Sequence, residues 1–301
     1  MQASLKVKGF LLIFLTALCW GPNFLFIKVA VAEIPPTTLV FLRVGIGTAV
    51  LFSIALLNRI DLWKWNPLWK EFIVMAMTMN VIPYILISWG EQYISSALTG
   101  ILNSLSVISV AVMAHYFGQY DRLTKNRIGG ICSGVLGLVI IYLPILLHDR
   151  LGNILGALMM VGACLSYGVG TVYVRVHLKK MPVMAAITIQ MVTATLILSV
   201  LALLIDRPFG LPIPSADAIY SVIALGAIGT GIGFIFYYKA IEMAGATYAT
   251  LSVFLLAIFA MFYGAFFLQE QITWNQYLGA FFILLGLLAV NPAFDPSMKH
   301  P

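Results

Sequence analysis

The chain has 301 residues, 61% of them hydrophobic and 9% charged, with a mean hydropathy of +1.00 and a formal charge of +6. A soluble domain is nearer half apolar and a quarter charged, so this composition excludes a soluble enzyme or a nucleic-acid binder and leaves a polytopic membrane protein. Cys19, Cys132 and Cys164 each lie in an apolar run with no metal-ligand spacing between them. They are expected to be buried and structural, and neither a metal site nor a cofactor is expected.

In chain order, Lys6 and Lys8 precede the first apolar run in the manner of a secretory signal. The run continues through Trp20 to Ala32, and a membrane span takes about 20 residues, so it is expected to be the first transmembrane helix. Further spans are expected at 37–57, 71–89, 96–117, 126–147, 154–174, 183–205, 218–238, 246–268 and 275–290. That makes ten spans with short connections, five in residues 1–148 and five in 149–301.

The junction of spans four and five carries Asp121-Arg122-Leu123-Thr124 followed by Gly130 and Gly137. The junction of spans nine and ten repeats it, 149 residues later, as Glu270-Gln271-Ile272-Thr273 with Gly279 and Gly286. The chain therefore reads as two related halves. Thr124 and Thr273 are expected to start the following helices as N-caps, and the acids to be structural.

Charge sets the orientation. With the N-terminus in the cytoplasm, only Arg150 and Arg207 fall on the outer side and Lys28 and Arg43 within spans; the other thirteen of the 17 lysines and arginines are cytoplasmic. The excess positive charge then faces anionic lipid and not nucleic acid. Five spans per half is an odd number, so the second half must enter from the opposite side. The expected fold is all-α: ten transmembrane helices as two inverted repeats, both termini cytoplasmic, an architecture of transporters with a site near mid-membrane.

The order Trp20-Gly21-Pro22-Asn23-Phe24, Lys28, Pro35-Pro36, Arg43, together with Glu270-x-Ile-Thr and its two glycines, resembles the EamA-type members of the drug/metabolite transporter superfamily over the whole chain. The resemblance implies a ten-helix inverted-repeat exporter of small metabolites, like the YddG-like amino-acid exporters. The chain departs from that pattern in two places. Spans four and nine lack the proline often found there, carrying Ser106-Val107-Ile108 and Leu256-Ala257-Ile258, and the first acid is Asp121 in place of glutamate.

Polar and aromatic residues inside spans are the informative ones, because unsatisfied polar groups in hydrocarbon are costly. Asn80 and Tyr84 lie one turn apart beside Pro83, whose missing N–H is expected to free the Met79 carbonyl. Trp20 and Asn23 share a stripe on span one, and Asn103, Tyr167, Tyr237, Tyr248 and Ser252 lie on spans four, six, eight and nine. One reading makes these the lining of a cavity for an amphipathic solute. The other makes the amides and hydroxyls helix glue and the tyrosines an interfacial belt.

Lys28 and Arg43 are the basic residues within spans. They are candidates for meeting a substrate anion; alternatively Lys28 snorkels and Arg43 caps carbonyls or pairs with Glu33. All eleven acids fall in loops or at span ends, so a facilitator or exchanger without a mid-membrane proton relay is expected, Glu91 being the exception to watch.

The sequence is thus expected to encode a multi-pass protein of the inner (plasma) membrane. It would act as a monomer that exports amino acids, large apolar or aromatic ones, or similar amphipathic metabolites by alternating access. A carrier of sugar phosphates or nucleotide sugars is the first alternative, although a dianion would call for more buried cations than two. A membrane-embedded lipid enzyme, built near His115 and Asp121, is the second.

Overall fold

The computed structural model describes residues 2–117, 125–147, 151–177, 181–244 and 251–290. Among these residues the regular structure is helical throughout, with no strand. This is the outcome apolar runs impose, since a helix satisfies its own backbone hydrogen bonds where no water can. Every predicted run is helical over its described part. Among the described residues, six stretches are long and apolar enough to cross a membrane: Leu11–Val31, Pro36–Leu57, Trp69–Gly90, Asn153–Val174, Val183–Ile205 and Ala216–Tyr237. Ser96–Val110, Ile128–Ile141 and Ile258–Phe267 are shorter apolar helices.

Several runs are subdivided. The first is α1 (Gln2–Trp20) and α2 (Asn23–Val31), parted by a turn at Gly21-Pro22. The second is α3 (Pro36–Leu57). The third is α4 (Trp69–Ala76), a π-helical segment Met77–Val81, and α5 (Ile82–Gly90). The fourth breaks at Ser104 into α6 (Ser96–Asn103) and α7 (Leu105–Phe117), so the missing proline does not leave it straight. Then follow α8 (Lys125–Leu147), α9 (Leu151–His177) and α10 (Val183–Ile205). The eighth run is α11 (Ala216–Ala224), a second π-helical segment Leu225–Ile232, and α12 (Gly233–Ala244). The last two are α13 (Leu251–Phe267) and α14 (Trp274–Val290).

Packing pairs helices from the two ends of the sequence. α3 lies against α10 and α8 against α14; α9 packs on α5 and α7, while α1 packs on α12 and α13. Both of the first two pairs are antiparallel. Thr38 meets Asp206 and Thr48 meets Thr195 across the first; Ser133 bonds Phe282 and Asn275 bonds Ile141 across the second. A large apolar core joins α2, α6, α9 and α11 around Ile27, Leu102, Met160 and Val222. A second lies between α3, α5 and α10 around Val44, Ile187 and Met191.

Of the cysteines only Cys164 is buried. Cys132 is exposed on α8, a correction to the expectation that an apolar run buries its cysteines, since in a bilayer helix the apolar outer face is the exposed one.

Candidate functional site

The two π-helical segments occupy the middle of their spans and correspond between halves, since the 149-residue offset carries 77–81 onto 226–230. In each the next N–H reaches back five residues, Ile82 to the Met77 carbonyl and Gly233 to the Ile228 carbonyl. A π segment leaves carbonyls short of partners and recurs at functional sites. Pro83 lacks an N–H, and in this register the carbonyl it orphans belongs to Thr78. Ser166 Oγ of α9 donates to it at 2.8 Å. The α-helical count pointed to Met79, one residue away, because sequence spacing does not reveal the wider turn. In the second segment Trp20 Nε1 of α1 donates to the Gly229 carbonyl at 2.9 Å, and Thr230 Oγ1 donates back to Leu225 at 3.2 Å.

Between the segments sits Arg43 of α3, 5% exposed. Its Nε donates to Thr230 Oγ1 at 3.0 Å, and its guanidinium carbon lies 4.0 Å from the centre of the buried Tyr84 ring. A desolvated cation over an aromatic face gains about 2 kcal/mol. Asn80, one turn before Tyr84, is fully buried; its Oδ1 accepts from Gln190 Nε2 and its Nδ2 approaches Met191 Sδ at 3.6 Å. The pairing of Arg43 with Glu33 does not occur, because Glu33 is bound elsewhere.

Asn23 is the first residue after the Gly21-Pro22 break, buried, and its Oδ1 has no hydrogen-bond partner among the described residues. It faces Gly229 so closely that a Cβ there would run into Oδ1. Trp20 packs edge-on to Phe234 at 5.5 Å and against Tyr237 at 5.0 Å between ring centres.

The structure therefore brings Trp20, Asn23, Asn80, Tyr84, Tyr237 and Arg43 together around the π segments. Tyr167 packs against both neighbouring cores. Asn103 stands apart, its carbonyl 3.9 Å from Cys164 Sγ, and Ser252 is buried on α13. Tyr248 lies outside the described residues, as do Asp121 and Thr124. Gln190 and Thr230 were missed. Gln190 is the one amide in the apolar run of α10, a signal that was present; Thr230 was hidden among four glycines.

One end of the bundle is tied by acids that cap helices of other segments. The Glu270 carboxylate accepts from Ser96 N at 2.9 Å, Ser96 Oγ at 3.0 Å and Ala97 N at 3.0 Å, at the start of α6. Asp206 accepts from Thr38 N at 2.6 Å and Thr38 Oγ1 at 2.8 Å, at the start of α3. Glu33 accepts from Ser215 N at 2.7 Å and Oγ at 2.6 Å, at the start of α11. These bonds hold the Glu33 carboxyl below its ordinary range, as expected of an anion at a helix N-terminus. Lys28 does not snorkel: its ammonium donates to the Glu91 and Ile94 carbonyls, the latter at 2.8 Å. Before α14, Gln276 reaches back to the Thr273 N–H at 2.9 Å, half of a capping box.

At the other flank, Phe52, Trp63, Trp65, Trp69 and Phe72 line a groove of ≈ 380 Å³. Lys64 and Lys70 lie over Trp65 and Trp69, as in an interfacial belt. His115 is exposed and packs edge-on to its neighbour Tyr116.

The sequence matches the EamA-like transporter family twice, at residues 7–143 and 154–291. The chain belongs to the EamA-like transporter family. It is 27% identical over 285 residues to a Bacillus subtilis protein named uncharacterized transporter YoaV, covering 93% of this chain and 96% of that one. It is likewise 27% identical over 288 residues to an uncharacterized transporter of Archaeoglobus fulgidus, covering 94% and 99%. Protein PagO of Salmonella typhimurium is 25% identical over 252 residues, covering 83% and 82%. A solved crystal structure superimposes with a TM-score of 0.68 over 99% of each chain at 16% identity, a likeness of fold alone. An EamA-like chain of apolar helices with transporter relatives is a multi-pass membrane transporter, embedded in lipid.

Proposed function

We propose that this transporter has ten spans in two inverted repeats, with both termini in the cytoplasm. It exports amino acids, above all large apolar or aromatic ones, or similar amphipathic metabolites across the inner membrane as a monomer working by alternating access. The supporting observation is the position of Arg43, a buried guanidinium on α3, between two π segments at matching places in the two halves. Its Nε is held by Thr230 and its face by Tyr84, which aims a fixed positive charge at the level where inverted-repeat transporters bind solutes. A solute carboxylate would meet Arg43, a polar head would meet the open Oδ1 of Asn23, and an apolar side chain would lie among Trp20, Phe234 and Tyr237.

Matching contacts support the repeat reading. Ser166 of α9 serves the first π segment as Trp20 of α1 serves the second, and the pairs α3–α10 and α8–α14 are each antiparallel. The acid-capped end is the one that the lysine and arginine count puts outside, so the outer end is closed in this conformation. A dianion carrier fits less well, because Lys28 is committed to carbonyls and leaves Arg43 as the central cation.

The test is uptake of a panel of labelled amino acids into proteoliposomes. Saturable uptake of aromatic or large apolar amino acids is expected. Absence of uptake across the panel would discard this substrate class.

A further inference from the structure

Glu91 follows the third span as the C-cap of α5, and its side chain is fully buried. Neither carboxyl oxygen has a hydrogen-bond partner among the described residues. Three other acids of this end, Glu33, Asp206 and Glu270, are each satisfied by a helix N-terminus. The Lys28 ammonium bonds the main-chain carbonyl of Glu91 rather than its carboxylate. Ser88, one turn earlier on the same face, is buried and its hydroxyl is unpartnered as well. Tyr84 lies one turn further back, so the face leads from Arg43 to Glu91.

The charged groups facing Glu91 are Lys28 of α2, Arg43 of α3 and Glu270 before α14. From α9, Gly156 and Met159 lie against Gly90 and bring no charge. An ionised carboxylate stripped of water and of hydrogen bonds is strongly disfavoured. Burial pushes the Glu91 carboxyl well above its ordinary range; Lys28 opposes that push, Glu270 adds to it, and Arg43 opposes it.

We propose that Glu91 is a proton-binding site linked to the outer gate: its carboxyl carries a proton while the outer end is closed and gives it to external water when that end opens. The proton moves between the carboxyl oxygen and water, and closure takes it back, so nothing else changes covalently. A lone carboxyl beside a lysine suits a proton and not a metal cation. The sign follows from linkage. Below about pH 4.3, the ordinary range of an exposed glutamic acid, both states hold the proton and opening is insensitive to pH. Above it opening releases one proton and grows easier by about tenfold per pH unit, until the closed state itself ionises. This rests on the transport reading only for its label of outside; the test below needs no substrate.

The experiment is labelling of Ser88→Cys in intact cells by an impermeant maleimide across a range of external pH. Rates are normalised to Gln92→Cys, an exposed neighbour that reports the thiol's own titration. The normalised rate is expected to rise steeply with external pH in the presence of Glu91, and to be low and flat with Glu91→Gln, which mimics the protonated form. An infrared titration of wild-type protein and Glu91→Gln, both in lipid nanodiscs, is the second measurement. A protonated carboxyl band at neutral pH that Glu91→Gln removes is expected. A flat normalised rate in the wild-type background, or no such band, would overturn the proposal. Failure of every amino acid in the uptake panel would leave it standing.

Discussion

Gly137 of α8 and Gly279 of α14 lie face to face: a Cβ on Gly137 would stand 2.5 Å from the Gly279 carbonyl, and a Cβ on Gly279 2.7 Å from the Gly137 carbonyl. One further pair along, a Cβ on Gly286 would run into the Gly130 carbonyl. The two copies of the repeated glycine motif are thus each other's partners, and small residues there let two backbones touch. Gly137→Ala or Gly279→Ala is expected to cost about 1–3 kcal/mol through overpacking, read as a lower unfolding temperature in detergent. Gly129, where an added Cβ would meet nothing within 4 Å, is the control; Gly129→Ala should be neutral or stabilising by up to about 1 kcal/mol.

Ser166→Ala removes the donor to the Thr78 carbonyl, leaving a buried acceptor unpaired at about 1–3 kcal/mol. Pro83→Ala supplies an N–H and favours the α register over the π one. Stability should be kept or raised while transport falls, because Asn80 and Tyr84 turn relative to Arg43. If Pro83→Ala transports normally, the π segment has no part in the cycle.

Glu270→Ala leaves the N–H groups of Ser96 and Ala97 without their acceptor. The start of α6 should loosen, at about 1–3 kcal/mol, and Ser88→Cys in this background should label faster from outside at every pH. Unchanged labelling would show that this cap does not hold the outer end shut.

Much of this arrangement is visible in the residues themselves. Each apolar run became a helix because hydrocarbon leaves the backbone no alternative, and Arg43, Asn80, Tyr84, Trp20 and Asn23 stood out as polar or aromatic groups inside runs. What local spacing does not encode is register and distant pairing. The π turn moved the orphaned carbonyl from Met79 to Thr78, and Glu270 finds its helix N-terminus 174 residues away. Glu91 reads as a loop acid at a span end, and only the packing of α2, α3 and α9 against α5 buries it.

The central claim is that Arg43 binds the solute, and replacing it tests this most directly. Counterflow of labelled aromatic amino acids in proteoliposomes should saturate with the wild-type protein. The apparent affinity should fall by about tenfold to a hundredfold with Arg43→Ala, as loss of a charged hydrogen bond of about 1.5–3 kcal/mol requires. Arg43→Lys should recover little of it, because a lysine does not keep the stacked, forked geometry. Transport by Arg43→Ala with wild-type affinity and rate would contradict the account.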